Sequence, residues 1–247
     1  MASTNENYDR IVRDLVLANH ILALENVLDA YGHVSVRNPN DRNSYLMSRS
    51  RSPEIVDADD ILVHALDGSV QGIAEPELYR ERFIHGAIYE ARPEVQAVIH
   101  SHADDVLPFS ISNVPFRAVV HGASSLGVRV PVWDIQDEFG DTNLLVSDMA
   151  QGRSLSRKLE DCTVVLMRGH GFAAAGKTLI NVIKTATSLP RNARVQMDAL
   201  RLGGTVTPLT AGEVELRERF DVRAPASQRQ WEYWCRRLGV PYEPGGY

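Results

Sequence analysis

Two histidines on either side of a serine end one apolar run of this 247-residue chain. The run, VQAVIHSH at residues 95–102, alternates like a strand, so His100 and His102 leave from the same face. Their Cβ atoms would lie roughly 6 to 7 Å apart, close enough for both imidazoles to hold one ion. The pair alone is a weak signal, because a strand can carry two polar histidines without any metal. The remaining ligands must come from other parts of the chain.

Candidates for those ligands are a histidine between two glycines and a glutamate ahead of the strand. His170 lies in LMRGHGFAAAG, where the glycines allow a tight turn that can bring the imidazole to another element. Glu81 lies in the helical segment that immediately precedes the strand. Three imidazoles and one carboxylate would suit Zn, Mn, Fe or Co and would leave coordination positions open for a substrate.

Periodicity predicts the elements that must position these residues. Helices are predicted over residues 8–30, 75–91, 142–160, 178–204 and 227–239, with Pro190 kinking or dividing the fourth. Strands are predicted for residues 33–39 and 44–50 as a hairpin, and for residues 95–102, 116–120, 128–133 and 163–169. A further hairpin is predicted around Asp67 and Gly68. In the second helix Glu81 and His85 share a face. No repeat or linker divides the chain, so residues 1–247 are expected to form one domain.

The composition excludes several classes of function. A formal net charge of −6, with no cluster of Lys and Arg, argues against a nucleic-acid partner. The amino terminus lacks the apolar core of a signal peptide, and no window approaches the ~20 apolar residues of a membrane span. Cys162 and Cys235 have no metal-binding spacing, so a transition metal must rely on His and carboxylate ligands. We expect a cytoplasmic enzyme.

The motifs around these residues resemble those of one known family. ERFIHGAIYEARPEVQAVIHSHADDV and, farther along, VVLMRGHGFAAAGKTL look like the class II aldolase/adducin family, and YGHVSVRNP resembles its first glycine-containing strand motif. The resemblance spans residues 15–204. It implies a three-layer α/β/α fold around a largely antiparallel sheet, and a homotetramer or other homo-oligomer. It also implies one divalent metal ion per subunit, held by Glu81, His100, His102 and His170. Glu81 would be both a ligand of the ion and the proton-transfer residue.

The chain departs from the sugar-phosphate aldolases of that family where they bind phosphate. Their Asn, their Thr-Gly or Ser-Gly pair and their two serines before the glutamate are replaced here by His33, Arg49–Ser50 and Tyr79–Arg80. A guanidinium pairs bidentately with carboxylates as well as phosphates, which favours a flatter, carboxylated substrate. The predicted substrate-binding residues are His33, Arg49, Ser50 and Arg80. For each arginine a structural salt bridge is an equally open interpretation.

A second departure concerns the proton donor. Those aldolases carry a tyrosine beside the histidine of the segment VVHGASSLG, whereas here Gly122 follows His121. LMSRSRSPE, MRGHG and WEYW instead resemble the branch that decarboxylates hydroxypyridine dicarboxylates and dihydroxyphthalates. We therefore expect metal-dependent, non-oxidative decarboxylation of a hydroxylated aromatic or pyridine dicarboxylate, a step in aromatic catabolism, with Glu81 and His121 as catalytic residues. A class II aldolase, an iron-dependent oxygenase of the same family and an adducin-like interaction module are the alternatives.

Overall fold

A seven-stranded sheet forms the centre of the described part of this computed structural model, which covers residues 4–72, 77–218 and 225–246. The strands are β1 (His33–Arg37), β2 (Ser44–Ser48), β3 (Ile61–Ala65), β4 (Ala97–Ser101), β5 (Val132–Trp133), β6 (Val164–Met167) and β7 (Gly171–Gly176). Their order is β3-β2-β1-β4-β7-β6-β5, and only β5 and β6 pair in parallel. The prediction of a largely antiparallel sheet is therefore confirmed.

Helices cover both faces of the sheet. The helices are α1 (Thr4–Leu24), α2 (Arg82–Ala91), α3 (Leu107–Ser110), α4 (Gln136–Phe139), α5 (Met149–Leu159), α6 (Leu179–Arg201), α7 (Ala211–Glu218) and α8 (Pro225–Leu238). Helices α1, α6 and α8 pack on one face, and α2 and α5 pack on the other. Within the described ranges, no helix is both long and apolar enough to cross a membrane.

The central strands are buried on both faces, which defines the three layers. Along β4, Ile99 belongs to the core that contains Leu22 of α1 and Ile183 of α6. Its neighbour Val98 belongs to the opposite core, with Ile84 of α2. Alternate side chains of one strand thus reach two separate cores, as the strand period of two requires. The predicted α/β/α layering is confirmed.

Helix α2 is shorter than its sequence pattern predicts. It begins at Arg82, and Glu81 is its N-cap residue. Residues 75 and 76 of the predicted helix lie outside the described residues, but 78–80 are not helical. The side chain of Arg82 explains this start, because its Nη1 donates to the carbonyl of Tyr79. That carbonyl would otherwise accept from the backbone N–H of residue 83 in a longer helix.

The segment at residues 116–120, predicted as a strand, is irregular. Its backbone pairs with side chains of α6 instead of with a strand. Asn192 Oδ1 accepts from the N–H groups of Val119 and Val120, and Gln196 Oε1 accepts from the N–H of Arg117. These buried amides satisfy the donors that a sheet would otherwise satisfy. The strand prediction is wrong for that reason.

Other boundaries also differ from prediction. Strand β5 keeps only two residues of the predicted 128–133, and α5 begins at Met149, where the Asp148 side chain accepts from the N–H of Gln151. The turn at Gly68 forms, but residues 69–72, the described residues directly after it, do not form the second strand of the predicted hairpin. Strand β7 was not predicted. Helix α6 is not divided at Pro190, although proline lacks the N–H of one helical hydrogen bond. The helix stays buried against the sheet on both sides of this residue.

Candidate metal centre

Four side chains from three parts of the chain meet near the carboxyl end of β4. His100 lies in β4, His102 follows that strand, His170 lies in the turn between β6 and β7, and Glu81 precedes α2. One ligand atom from each lies within 4.8 Å of the others. His100 is fully buried and Glu81 is 6% exposed. The fold thus brings together the four residues that the sequence singles out, and their binding of a metal stays a prediction.

Glu81 Oε2 is the atom that the three imidazoles share. It lies 3.1 Å from His100 Nε2, 3.3 Å from His170 Nε2 and 3.9 Å from His102 Nε2. Burial by itself raises the pKa of Glu81, but electrostatic interaction with His100 and the close contacts with His102 and His170 outweigh it. The net effect holds the pKa of Glu81 well below its usual range. Glu81 is therefore a carboxylate at neutral pH.

Contacts outside the cluster fix which nitrogen of two imidazoles faces inward. His100 Nδ1 donates to the carbonyl of Phe172 at 3.1 Å, and His102 Nδ1 donates to Asp29, both of whose oxygens lie at 3.2 Å. Each neutral ring therefore turns the lone pair of its Nε2 inward. These two Nε2 atoms are 3.0 Å apart.

Two lone pairs at that distance repel unless a cation or a proton lies between them. Burial lowers the pKa of His102, but Glu81 and Asp29 outweigh it and raise the net pKa, so His102 is the ring that takes a proton. A divalent ion bound to the two Nε2 lone pairs would remove the same repulsion. The site offers three imidazole nitrogens and a carboxylate, a set of ligands that fits such an ion. Two of the rings are also oriented from behind, one by a carboxylate and one by a carbonyl.

The glycine after His170 permits the close approach of the β6–β7 turn to β4. A Cβ at Gly171 would lie 2.0 Å from the carbonyl oxygen of Ser101, far inside contact distance. Gly169 has φ +63°, a conformation that other residues rarely adopt. The pair of glycines therefore lets the turn place the His170 ring within 5.0 Å of the His100 ring, centroid to centroid.

A loop amide holds Glu81 in place. Glu81 Oε1 accepts from the backbone N–H of Val146 at 3.0 Å, and Val146 is fully buried. Val146 lies in the loop that precedes α5. One carboxylate oxygen is thus fixed by the backbone while the other faces the imidazoles.

The residues predicted to bind substrate differ in their surroundings. His33 in β1 pairs with His100 in β4, and the ring centroids are 5.2 Å apart. Arg49 Nε donates to the buried Asp60 carboxylate at 2.7 Å, which also pairs with Arg51. Ser50 is exposed, and its N–H donates to the carbonyl of Glu77. His33 adjoins the metal centre, whereas Arg49 is engaged within its own loop.

Arg80 and His121 are both exposed. Arg80 immediately precedes Glu81 and makes no hydrogen bond or ion pair with the residues that the structure describes. His121 begins a short 3-10 helix over His121–Leu126 and makes no hydrogen bond with the four clustered residues. Substrate binding by Arg80 thus stays a prediction, and the structure shows no hydrogen bond between His121 and the centre.

Asp29 and the residues behind His33 are functional candidates that sequence reasoning missed. Asp29 contacts His102 across 73 positions, and nothing in its neighbourhood, VLDAYGH, signals a partner. His85 was assigned to the face of Glu81, yet it contacts His33 and Ser35 instead. In HVSVR the polar residues His33 and Ser35 alternate with Val34 and Val36, and this alternation was the available signal in the sequence for His33 and Ser35.

Comparison with known proteins agrees with the fold and shows the family. Residues 13–197 match the family described as "Class II Aldolase and Adducin N-terminal domain", and the chain belongs to the class II aldolase/adducin family. The "Decarboxylase tropJ" of Talaromyces stipitatus is 34% identical, with 95% of each chain covered. A "3,4-dihydroxyphthalate decarboxylase" of Arthrobacter keyseri is 27% identical, covering 79% of this chain and 81% of its own length.

Solved structures show the same fold at lower identity. The L-fuculose 1-phosphate aldolase from Glaciozyma antarctica superposes with a TM-score of 0.74 at 21% identity, covering 97% of this chain and 94% of its own. Such a likeness defines the architecture alone. The decarboxylase relatives support a lyase of this family.

Proposed function

We propose that the protein is a metal-dependent, non-oxidative decarboxylase of a hydroxylated aromatic or pyridine dicarboxylate. The convergence of Glu81, His100, His102 and His170 on one point is the observation that carries the proposal. Relatives named as decarboxylases over most of their length support it. As elsewhere in this family, we propose a homo-oligomer of single-domain subunits acting in the cytoplasm.

A divalent ion held by these residues supplies a Lewis acid that favours the anionic form of a ring hydroxyl. Glu81 is ionised, so it starts the cycle as a base and accepts the hydroxyl proton. The protein holds that proton beside the substrate, because the Val146 N–H fixes the carboxylate. Glu81 then gives the proton to the ring carbon that bears the departing carboxylate.

The bond between that carbon and the carboxylate breaks as carbon dioxide leaves, and its electron pair restores the aromatic ring. The proton from Glu81 remains on the carbon. Glu81 is a carboxylate again, and no oxidant is consumed.

Arg80 is the residue that we propose to orient a second carboxylate of the substrate. It adjoins Glu81, is exposed and is not engaged by a described residue. We propose Ser50 as a neutral contact nearby and His121 as an accessory proton-transfer residue that would have to approach from elsewhere in the assembly. For Arg49 the ion pair with Asp60 favours the structural interpretation.

Anaerobic incubation of metal-loaded protein with hydroxylated aromatic dicarboxylates, including 3,4-dihydroxyphthalate, and with aldol sugars and their phosphates tests the function. We expect carbon dioxide release from a dicarboxylate and no aldehyde. Metal content, measured by mass spectrometry, should approach one ion per subunit and fall sharply in His100→Ala, His102→Ala and His170→Ala. Aldehyde release from an aldol substrate without any carbon dioxide, or turnover that requires oxygen, would overturn the proposal.

A further inference from the structure

A chain of four buried polar side chains runs behind the metal centre. His33 Nδ1 lies 2.7 Å from His85 Nε2, His85 Nδ1 lies 2.6 Å from Ser35 Oγ, and Ser35 Oγ lies 2.9 Å from Tyr89 Oη. None of the four residues is more than 1% exposed. We call this set the His33–Tyr89 network. It joins β1 to α2, and its distances are those of good hydrogen bonds.

One end of the network leaves a polar atom without a protein partner. Because His33 Nδ1 is taken by His85, the other ring nitrogen, Nε2, points away from the network. His33 Nε2 makes no hydrogen bond within the described part of the chain, although His33 is only 1% exposed. His33 Nε2 is not one of the fully buried side-chain atoms that lack a partner, so it faces space that solvent or a ligand can reach. Its position beside His100 indicates that a ligand of the metal centre is the missing partner.

The other end of the network sets the direction of its hydrogen bonds. Tyr89 Oη has two partners among the described residues, Ser35 Oγ and the backbone N–H of Val98. Because the backbone N–H can only donate, Ser35 Oγ is the partner to which the buried phenol donates its own hydrogen. Ser35, having accepted this bond, donates its own hydrogen to His85 Nδ1. His85 must then carry its hydrogen on Nε2 and donate it to His33 Nδ1.

The same order fixes the tautomer of His33. With Nδ1 accepting from His85, the hydrogen of a neutral His33 lies on Nε2. A ring nitrogen that accepts a hydrogen bond carries no hydrogen, and Nδ1 of His33 and Nδ1 of His85 both accept one. Both rings are therefore neutral, with their single hydrogen on Nε2.

We propose that His33 is a fixed Nε2–H donor that binds an anionic oxygen of the substrate beside the metal, and that Tyr89, Ser35 and His85 are positioning residues that hold this tautomer. The proposal rests on the proposed function. An Nε2–H group cannot accept a hydrogen bond. This side of the site therefore selects a carboxylate or a deprotonated hydroxyl over a hydroxyl that needs an acceptor, since the wrong group would leave both partners unpaired.

Nitrogen-15 NMR of the histidine rings tests the tautomer without any turnover. Long-range proton–nitrogen spectra of zinc-loaded and metal-free protein, with His33 assigned from the spectrum of His33→Gln, should show a neutral Nε2–H ring. Tyr89→Phe removes the terminal donor, so Ser35 can turn and His33 should become a mixture of tautomers. His64→Phe, which replaces a buried imidazole outside the network, should leave the pattern of His33 unchanged. An Nδ1–H ring in the wild type would overturn the proposal, and an unchanged ring in Tyr89→Phe would remove the positioning role.

Binding of a probe tests the contact itself. Calorimetry of zinc-loaded protein with 2,3-dihydroxybenzoate should show about 10- to 100-fold weaker binding by His33→Phe, because a hydrogen bond to an anion is lost. His33→Gln, whose amide can place an N–H near the same point, should retain most of the affinity. Tyr89→Phe should lose several-fold in affinity while keeping its metal content. Wild-type affinity in His33→Phe would overturn the proposed contact.

The two proposals fail in distinguishable ways. If the protein releases carbon dioxide from a dicarboxylate while His33 carries its hydrogen on Nδ1, the inference about His33 fails and the function stands. If no dicarboxylate is decarboxylated, yet the NMR pattern and the His33-dependent binding of the probe are found, the function fails and the donor role of His33 stands.

Discussion

Asp29 holds His102 from behind, with both carboxylate oxygens 3.2 Å from His102 Nδ1. A carboxylate in that position orients a metal-binding imidazole and raises its basicity, and its loss typically weakens metal binding by about 10- to 100-fold. We expect a loss of that size in zinc affinity for Asp29→Asn, measured by competition with a chelator. Asp161→Asn, at an exposed carboxylate, is the matched control. Equal affinity in the two variants would show that Asp29 does not support the centre.

Glu81→Gln separates metal binding from proton transfer. The amide is a poorer ligand, so metal must be supplied in excess. Under that condition we expect substrate binding to persist and turnover to fall by about 10²- to 10⁴-fold, the range for a lost general acid–base group. Wild-type product formed in deuterium oxide should carry deuterium at the vacated ring position. Wild-type turnover by the metal-saturated variant would exclude Glu81 as the proton-transfer residue.

Gly171→Ala should destabilise the fold, because its Cβ would meet the carbonyl oxygen of Ser101 at 2.0 Å. Overpacking of a core typically costs about 1 to 3 kcal/mol, and a backbone neighbour cannot turn aside as a side chain can. Gly122→Ala is the control, since a Cβ there meets nothing within 4 Å. Thermal unfolding measures both. A Tm for Gly171→Ala equal to that of Gly122→Ala would contradict the close approach of the β6–β7 turn.

Asp60 should make the stability of the folded protein depend on pH. Burial raises its pKa, but the N–H of Asp57 and the Arg49 and Arg51 side chains outweigh that effect, and the net pKa is lowered. A carboxyl with a lowered folded pKa stabilises the protein above its unfolded pKa, and this stabilisation disappears as the pH falls through the folded pKa. Asp60→Asn should therefore lower Tm at pH 7 and have less effect near pH 3. An equal deficit at both values would assign the loss to packing instead of charge.

Arg80 and Arg49 should respond differently to truncation. Arg80→Ala should raise the KM for a dicarboxylate by about tenfold, the loss expected for a hydrogen bond to a charged group, without changing metal content. Arg49→Ala should leave KM nearly unchanged and lower Tm slightly, because it removes one of the ion pairs of Asp60. Steady-state kinetics and thermal unfolding measure the pair. The reverse pattern would reassign the substrate carboxylate to Arg49.

The strongest periodic signals in the sequence predicted several of the helices and strands correctly, whereas the three layers were implied by the family resemblance. Alternation in HVSVR and SYLMS predicted the β1–β2 hairpin, and the helical periodicity of residues 227–239 predicted α8. The segment at 116–120 looked like a strand because four of its five residues are apolar and two of them are β-branched valines. Its actual partners are two amides of α6, more than 70 positions away, and no local pattern reveals such a partner.

The four clustered residues could be predicted because each lies in a motif with its own local cause. The strand alternation places His100, and the glycines place His170. Asp29 could not be predicted, since its contact with His102 depends on how the end of α1 meets β4. The predicted helical face shared by Glu81 and His85 does not form. The helix begins later than its pattern, so Glu81 is an N-cap residue and shares no helical face with His85.

The clustered residues reach the centre from three separate stretches of chain, and only the folded state holds them within 4.8 Å of each other. An ion bound there acts as a removable cross-link between α2, β4 and the β6–β7 turn. Its contribution to the free energy of unfolding grows with the logarithm of the free ion concentration. Metal supply in the cell would then govern how long each molecule survives proteolysis, as well as how fast it works.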